Sequence, residues 1–265
     1  MRIQRLPRYL RGYLLNAFRP KTTEFRLIDY LGARFLVNLR EDVGWSMHAF
    51  RNFEDDEIAV LAQLIQPEWN CLDVGGNIGF YSVMLARIAS RGTVVSCEPM
   101  SRNATLIATN RLLNNVRGET LVTLIGDRVG TMSFSEPVDS SYASIQNTGR
   151  GGDVETVREM PMMTIDGIVA ARGHGFDFIK IDIEGAEELA VRGMSRLLSS
   201  PQRPKLLMLE VCDENLKAFG STGASLVDMM AQHGYSPSCI RGGQVLAGVS
   251  SGRPSQNVLF APKAP

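Results

Sequence analysis

The sequence predicts an α/β fold, a doubly wound and mostly parallel seven-stranded sheet with a terminal antiparallel pair, preceded by a small N-terminal helix and β-hairpin. Three observations carry this. Asn70–Pro99 reads as a buried strand, a glycine-rich turn, a helix and a second strand ending in an acid. Phe176–Gly193 repeats the strand, glycine turn and helix pattern with charged residues inside the strand. From residue 55 onward, short apolar runs alternate with segments of helical period, the signature of βα units around a parallel sheet.

In the first stretch the strand is Cys71–Val74, the turn Gly75–Gly79, the helix Phe80–Ala89 and the next strand Thr93–Cys97, followed by Glu98. Glycines at such a turn let the backbone approach a ligand, and the helix start offers free N–H groups. An acid at the end of the second strand suits the hydroxyls of a ribose. The dinucleotide fingerprint wants G-x-G-x-x-G, but Gly75, Gly76 and Gly79 are spaced differently, with Asn77 at the second fingerprint position. A ligand without pyrophosphate, such as S-adenosyl-L-methionine, fits better than NAD. The competing reading keeps these glycines for packing alone, and Glu98 weighs against it.

Length and composition bound the rest. The 265 residues divide into an N-terminal extension, 1–54, and one large α/β domain, 55–265. Lys+Arg and Asp+Glu both number 28, so no global field recruits nucleic acid. The 44% apolar, 21% charged composition is that of a globular enzyme. Cys71, Cys97, Cys212 and Cys239 lack C-x-x-C spacing and read as buried thiols of a cytoplasmic protein.

Residues 1–26 carry seven basic residues against Glu24, with Ile3, Leu6, Leu10, Leu14 and Phe18 at helical spacing. Such a helix can lie on an anionic membrane surface or hold an acidic partner; packing on its own domain with a solvated basic face is the competing reading. Arginines interrupt any signal-peptide core, and no run reaches the roughly 18–20 apolar residues that span a bilayer. Phe25–Ile28 and Arg34–Leu39 form a hairpin, and Asp55 or Asp56 caps a helix ended by Pro67. Phe53-Glu54 reads as a hairpin-to-helix corner or part of a lid.

Beyond Glu98, Ser101 or Asn103 starts a helix, Leu121–Ile125 is a strand, and Thr131–Ser135 a short extended piece. Asp127 has two readings, a partner for an adenine amino group or a plain turn residue before Gly130. Glu136–Val157 is irregular and expected to border the substrate pocket, with Tyr142 and Ser144 its polar groups. In the strand Phe178–Ile183, a period of two puts Lys180 and Asp182 on one face. A parallel sheet is buried on both faces, so they must pair or line a site. Ala186–Leu198 is the next helix, Lys205–Val211 a strand containing Glu210, and Ser221 or Thr222 caps a helix to His233 closed by Gly234. Tyr235–Arg241 and Asn257–Ala261 are the last strands, joined by a turn over Gly242–Pro254. This layout is that of the class I (Rossmann-like) methyltransferases.

Three motifs sharpen it. Asp73-Val74-Gly75-Gly76-Asn77-Ile78-Gly79, Glu98-Pro99 followed by Asn103, Leu106, Asn110 and Asn114, and Asp177 through Glu187 resemble the FkbM family of S-adenosyl-L-methionine-dependent methyltransferases over roughly Phe53–Glu210. Gly76 departs from the family's usual alanine. The resemblance implies O-methylation of a hydroxyl on a sugar, glycoconjugate or natural product. It also implies that Asp73, Gly75, Gly76, Asn77 and Gly79 hold the methionine part of the cofactor, Glu98 its ribose and Asp127 its adenine, with Asp182 and Glu184 bordering the methyl group.

The chemistry can be argued without the family. A sulfonium methyl is already electrophilic, so the main task is alignment, which alone contributes roughly 7–11 kcal/mol. A general base adds about 100- to 10,000-fold. Asp182 and Glu184 are the candidates for base or acceptor positioning, with Glu210 next. No metal is assigned; Asp182 and Glu210 leave metal dependence as a hypothesis that indifference to EDTA would sink. The acceptor is a small molecule or glycan rather than nucleic acid. An NAD-dependent dehydrogenase and a non-catalytic assembly protein of the same fold are the alternatives, and the oligomeric state is not legible.

Overall fold

A computed structural model of the chain describes residues 16–137, 139–140, 143, 145, 154–250 and 254–263. Most of the basic N-terminal helix, together with Tyr142 and Ser144, lies outside the described residues. Where the description begins, Arg19 pairs with Asp42 and, at 3.2 Å, with Asp139.

The hairpin expected after the basic segment is present: strands β1 (Phe25–Tyr30) and β2 (Ala33–Asn38) pair antiparallel. Their buried side chains Ile28, Tyr30, Phe35 and Val37 join one apolar cluster with Phe80, Val83 and Leu85 of the helix Phe80–Ile88. Asn110, fully buried on the helix Ser101–Leu113, donates to the carbonyls of Leu36 and Ile78 and accepts from the N–H of Leu36. The side chain thus acts as a strand edge and ties the hairpin to the glycine turn. The hairpin leads through a short helix, Asp42–Trp45, and a π-helical turn, Ser46–Phe50, to the helix Asp55–Leu64. The N-cap there is Glu54, in a left-handed conformation, in place of the expected Asp55 or Asp56. Asp55 turns inward instead to accept from the Tyr30 hydroxyl and the Phe53 N–H.

The main sheet comprises β3 (Cys71–Val74), β4 (Val94–Cys97), β5 (Glu119–Leu121), β9 (Phe178–Ile181), β10 (Leu206–Cys212), β11 (Tyr235–Arg241), β12 (Gln244–Ala247) and β13 (Ser255–Pro262). Its order is β12-β11-β13-β10-β9-β3-β4-β5, with β3, β4, β5, β9 and β10 parallel and β13 antiparallel to both β10 and β11. The strand order reverses at β3, the switch point where an open α/β sheet has its ligand crevice. The sheet has eight strands where seven are expected, because the segment read as a turn, Gly242–Pro254, contains β12, an exposed edge strand turned back by Gly242 and Gly243.

Four further expectations need correction. Leu121–Ile125 is not one strand: the chain leaves the main sheet after Leu121, and β6 (Leu124–Ile125) joins a separate three-stranded sheet. That sheet is built from β7 (Gly130–Pro137) and β8 (Val154–Met163), which run into the stretch read as irregular. β8 and the helix Ile165–Arg172 have no counterpart in the sequence reading. The strand read over Phe178–Ile183 stops at Ile181, leaving Asp182 just past its carboxyl end. Ala186–Leu198 is broken into the helices Glu187–Arg192 and Ser195–Leu198, because Gly193 packs against the Gly126 carbonyl and the Asp166 carboxylate takes the N–H groups of Arg196 and Leu197.

Candidate active site

Strand register assembles the site. Val74 pairs with Cys97 on one side and Ile181 on the other, and Ile181 pairs with Leu209. The next residues, Glu98, Gly75, Asp182 and Glu210, therefore form a row across the carboxyl ends of four parallel strands. All four line a cavity of about 250 Å³, together with Gly76, Asn77, Phe53, Glu54, Tyr81, Lys180 and Glu184. A second, polar cavity of about 210 Å³ adjoins it through Glu54, Asp182 and Glu210, and adds Glu57, Ser255, Gln256 and Asn257.

At one end of the row Glu98 is 4% exposed. Its Oε2 accepts from the Asn77 N–H at 2.9 Å and its Oε1 from the Met100 N–H at 2.8 Å. Burial pushes its carboxyl up to about 7, against those two hydrogen bonds. Asn77 holds a left-handed backbone, φ 47°, supported by its own Oδ1 accepting from the Ile78 N–H. Leu124, Ile125, Phe134 and Ile145 supply apolar wall to the same cavity.

At the centre Lys180 Nζ lies 3.0 Å from Asp182 Oδ2 and 4.5 Å from the centroid of the Tyr81 ring. Burial disfavours the ammonium, but Asp182, Asp73 and Glu54 outweigh it and hold Lys180 above its ordinary value. Lys180 and Asp182 are ion-paired, and both line the cavity. Glu54 accepts from the Tyr81 hydroxyl, and burial pushes its carboxyl up to about 7. Glu184, also left-handed at φ 54°, accepts from Asn215 Nδ2 at 2.6 Å. Glu210 Oε1 accepts from the Ser255 hydroxyl at 2.8 Å, and burial, then Asp182 and Glu187, push its carboxyl up. One oxygen each of Asp182, Glu184 and Glu210 lie within 4.8 Å of one another.

The family model described as the methyltransferase FkbM domain matches residues 73–237, more than half of the chain. The chain belongs to the FkbM methyltransferase family. No curated protein matches it by sequence. Among solved structures, methyltransferase FkbM from Methylobacillus flagellatus KT is 17% identical with a TM-score of 0.49, over 74% of this chain and 44% of that one. TYW2 from M. jannaschii, in complex with AdoMet, is 11% identical with a TM-score of 0.48, over 91% and 87%. An O-methyltransferase from Bacillus cereus in complex with SAH is 16% identical with a TM-score of 0.45, over 79% and 81%. The chain thus spans less than half the length of the Methylobacillus protein.

S-adenosyl-L-methionine, the methyl donor of the FkbM family, fits the residues present. The cavity offers a buried carboxylate, Glu98, of the kind that accepts from ribose hydroxyls, apolar wall residues, and the carboxylates of Glu54, Asp182 and Glu184, suited to a sulfonium or ammonium cation. Of the residues expected at this site, Gly75, Gly76, Asn77, Glu98, Asp182 and Glu184 line the cavity. Asp73 and Gly79 lie behind it. Asp73 is fully buried and accepts from Ser82 Oγ at 2.7 Å, and Ser82 in turn meets Ser96, which accepts from Arg111. The faces of Gly75 and Gly79 where a Cβ would sit are filled by protein: the Asp182 carbonyl at 1.8 Å and Ile107 Cα at 3.0 Å. Asp127 is exposed and paired with Arg128 at 3.2 Å, away from the cavity wall, because it lies in the bend that joins β6, ending at Ile125, to β7, starting at Gly130. The cavity wall uses Thr123, Leu124 and Ile125 instead.

The sequence reading also passed over Glu54, Tyr81 and Asn257 as chemical groups. Only the acid at a predicted hairpin-to-helix corner gave any signal, and that signal was positional.

Proposed function

We propose that the protein is an O-methyltransferase that moves the methyl group of S-adenosyl-L-methionine to a hydroxyl of a sugar, glycoconjugate or other natural product. The observation that carries this reading is the row Glu98, Gly75, Asp182 and Glu210, which joins a ribose-compatible acid to a polar second cavity within one crevice. When bound, the cofactor supplies an electrophilic methyl carbon on a cationic sulfur. Glu98 accepts the ribose hydroxyls, with Asn77 and Met100 holding its carboxylate in place. The acceptor occupies the polar cavity, whose carboxylate and amide oxygens orient a hydroxyl-bearing ligand by accepting its O–H groups. Asp182 and Glu184 position the attacking oxygen and receive its proton, Lys180 and Asn215 fixing the two carboxylates. A cavity lined by Glu54, Glu57, Asp182 and Glu210 repels a polyanion, which favours a neutral glycan or small molecule over a nucleic acid, in line with the zero net charge.

Among the described residues, no helix is long and apolar enough to cross a membrane. The buried free thiols Cys71, Cys97, Cys212 and Cys239 support a cytoplasmic location, and the basic, amphipathic sequence of residues 1–26 supports contact with a membrane surface or an acidic partner.

The test is calorimetric titration with S-adenosylhomocysteine, for the wild type and Glu98→Ala, followed by transfer of isotopically labelled methyl across a glycan and polyol panel. Loss of a charge-assisted hydrogen bond weakens binding by about 1.5–3 kcal/mol, so the variant binds at least tenfold more weakly. A wild type that does not bind overturns the cofactor reading. Labelled methyl found on nitrogen or carbon rather than oxygen overturns the acceptor class.

A further inference from the structure

Asn103 is 1% exposed and belongs to neither cavity wall. A buried amide away from ligand and water must find its partners inside the protein. The chain passes from β4 into the helix Ser101–Leu113 through Glu98, Pro99 and Met100, and the N-cap, Met100, has no side-chain oxygen for the first N–H groups of the helix. Glu98 supplies one instead, its Oε1 accepting from the Met100 N–H at 2.8 Å. Asn103 stands three residues after the N-cap, the position from which a side chain reaches back over a helix start. Its amide donates to the Glu98 carboxylate, and its Nδ2 also lies 3.9 Å from Met100 Sδ, a weak acceptor.

The other end of the amide is an independent observation. Asn103 Oδ1 is buried with no hydrogen-bond partner in the structure. An unpaired buried carbonyl bears its full desolvation cost, which an apolar side chain of similar shape would not. The amide therefore destabilises its own surroundings, and the N–H it places on Glu98 is what offsets that. Burial opposes the charge on Glu98, while donors from Met100, Asn77 and Asn103 support it. The Met100 and Asn77 donors are backbone groups, and Asn103 is the side chain among the three. The last torsion of a glutamate is soft, so each added donor narrows the directions its oxygens take.

We propose that Asn103 is a positioning residue for the cofactor: without touching the ligand, it holds the Glu98 carboxylate in the orientation that meets the ribose hydroxyls. This rests on the reading of Glu98 as the ribose acceptor. Without the amide, Glu98 keeps its two backbone donors but turns more freely and takes up a proton more readily, and each change weakens it as an acceptor.

The experiment measures, by calorimetry on the full chain, the affinity for S-adenosylhomocysteine and for its analogue lacking the 2′- and 3′-hydroxyls. The wild type prefers S-adenosylhomocysteine by about tenfold or more. Asn103→Leu keeps the approximate size of the side chain and removes its donor. It weakens S-adenosylhomocysteine binding about fivefold and changes binding of the analogue less than about twofold. In a Glu98→Ala background it adds less than about twofold, because a residue that acts through another has no separate effect once that other is gone. A side chain that only supports the fold weakens both ligands alike and adds its loss to that of Glu98→Ala, and either result overturns the proposal. So does an Asn103→Leu protein with wild-type affinity for S-adenosylhomocysteine. Thermal melting checks folding, and Asn103→Ala is read by the same criteria if Asn103→Leu does not fold. A wild type that binds both ligands equally sinks the ribose reading of Glu98 and the proposal with it. A preference lost in Glu98→Ala but kept in Asn103→Leu sinks the positioning role alone.

Discussion

The carbonyl oxygen of Asp182 lies 1.8 Å from where a Cβ on Gly75 would stand. The first glycine of the turn after β3 and the acid after β9 are thus in direct backbone contact, and the two motifs form one structural unit. Gly75 also has φ +83°, a conformation that costs an L residue about 1–2 kcal/mol, and overpacking adds about 1–3 kcal/mol. Gly75→Ala lowers stability by about 2–5 kcal/mol and shifts Asp182. Chemical denaturation checks the first effect, and weakened S-adenosylhomocysteine binding the second.

Lys180 is 3% exposed and faces Asp182, Asp73 and Glu54. Removing one partner of a buried ion pair costs about 3–5 kcal/mol, and the lower end applies here because Asp182 is 28% exposed and water screens it. Lys180→Met therefore lowers the unfolding free energy by about 3 kcal/mol at pH 7. The loss shrinks in acid, as protonation neutralises the carboxylates left behind. Denaturant titrations at pH 5 and pH 7 measure both.

Glu98 and Glu187 are both pushed up to about 7, first by burial, from an ordinary value near 4.5. A native carboxyl with a raised pKa binds more protons than the unfolded chain does between those two values. Stability contributed by these groups is therefore full below about pH 4.5 and is lost as pH rises through about 7. The expected loss is on the order of 3 kcal/mol per group. Glu98→Gln/Glu187→Gln makes this downward slope between pH 5 and pH 8 shallower, leaving the part that Glu54 and Glu210 contribute. A double variant with the wild-type pH profile contradicts it.

Asp127 is exposed, bound to Arg128 and absent from the cavity wall. Asp127→Ala leaves S-adenosylhomocysteine affinity within twofold of the wild type, in contrast to Glu98→Ala, and calorimetry on the pair measures the contrast. A tenfold loss at Asp127 restores its reading as the adenine partner.

Much of this was legible along the chain because local signals and burial agree there. The Gly75–Gly79 turn, Glu98 at a strand end, the charged strand over Lys180 and the N-cap at Thr222, one of two candidates with Ser221, each rest on residues close in sequence, and each stands where expected. β8 and the split after Leu121 were not legible. β8 alternates weakly, with Glu155, Arg158 and Glu159 among its residues, and its pairing with β6 and β7 is what makes it a strand. The break at Gly193 was hidden for the same reason: it depends on Gly126 and Asp166, far away in the chain.

The sequence by itself determined the βα alternation, the glycine turn and the identity of the acids available for chemistry, because periodicity, capping and strand-end position are local properties. Only the tertiary structure decided which acids share a site. Strand register aligned Glu98, Gly75, Asp182 and Glu210 in one row, and antiparallel pairing set Asn257 opposite Glu210. The bend between β6 and β7 carried Asp127 out of reach, while the hairpin brought Glu54 in. Register follows from the summed packing of whole strands and the burial of both sheet faces, and no short window of residues contains that sum.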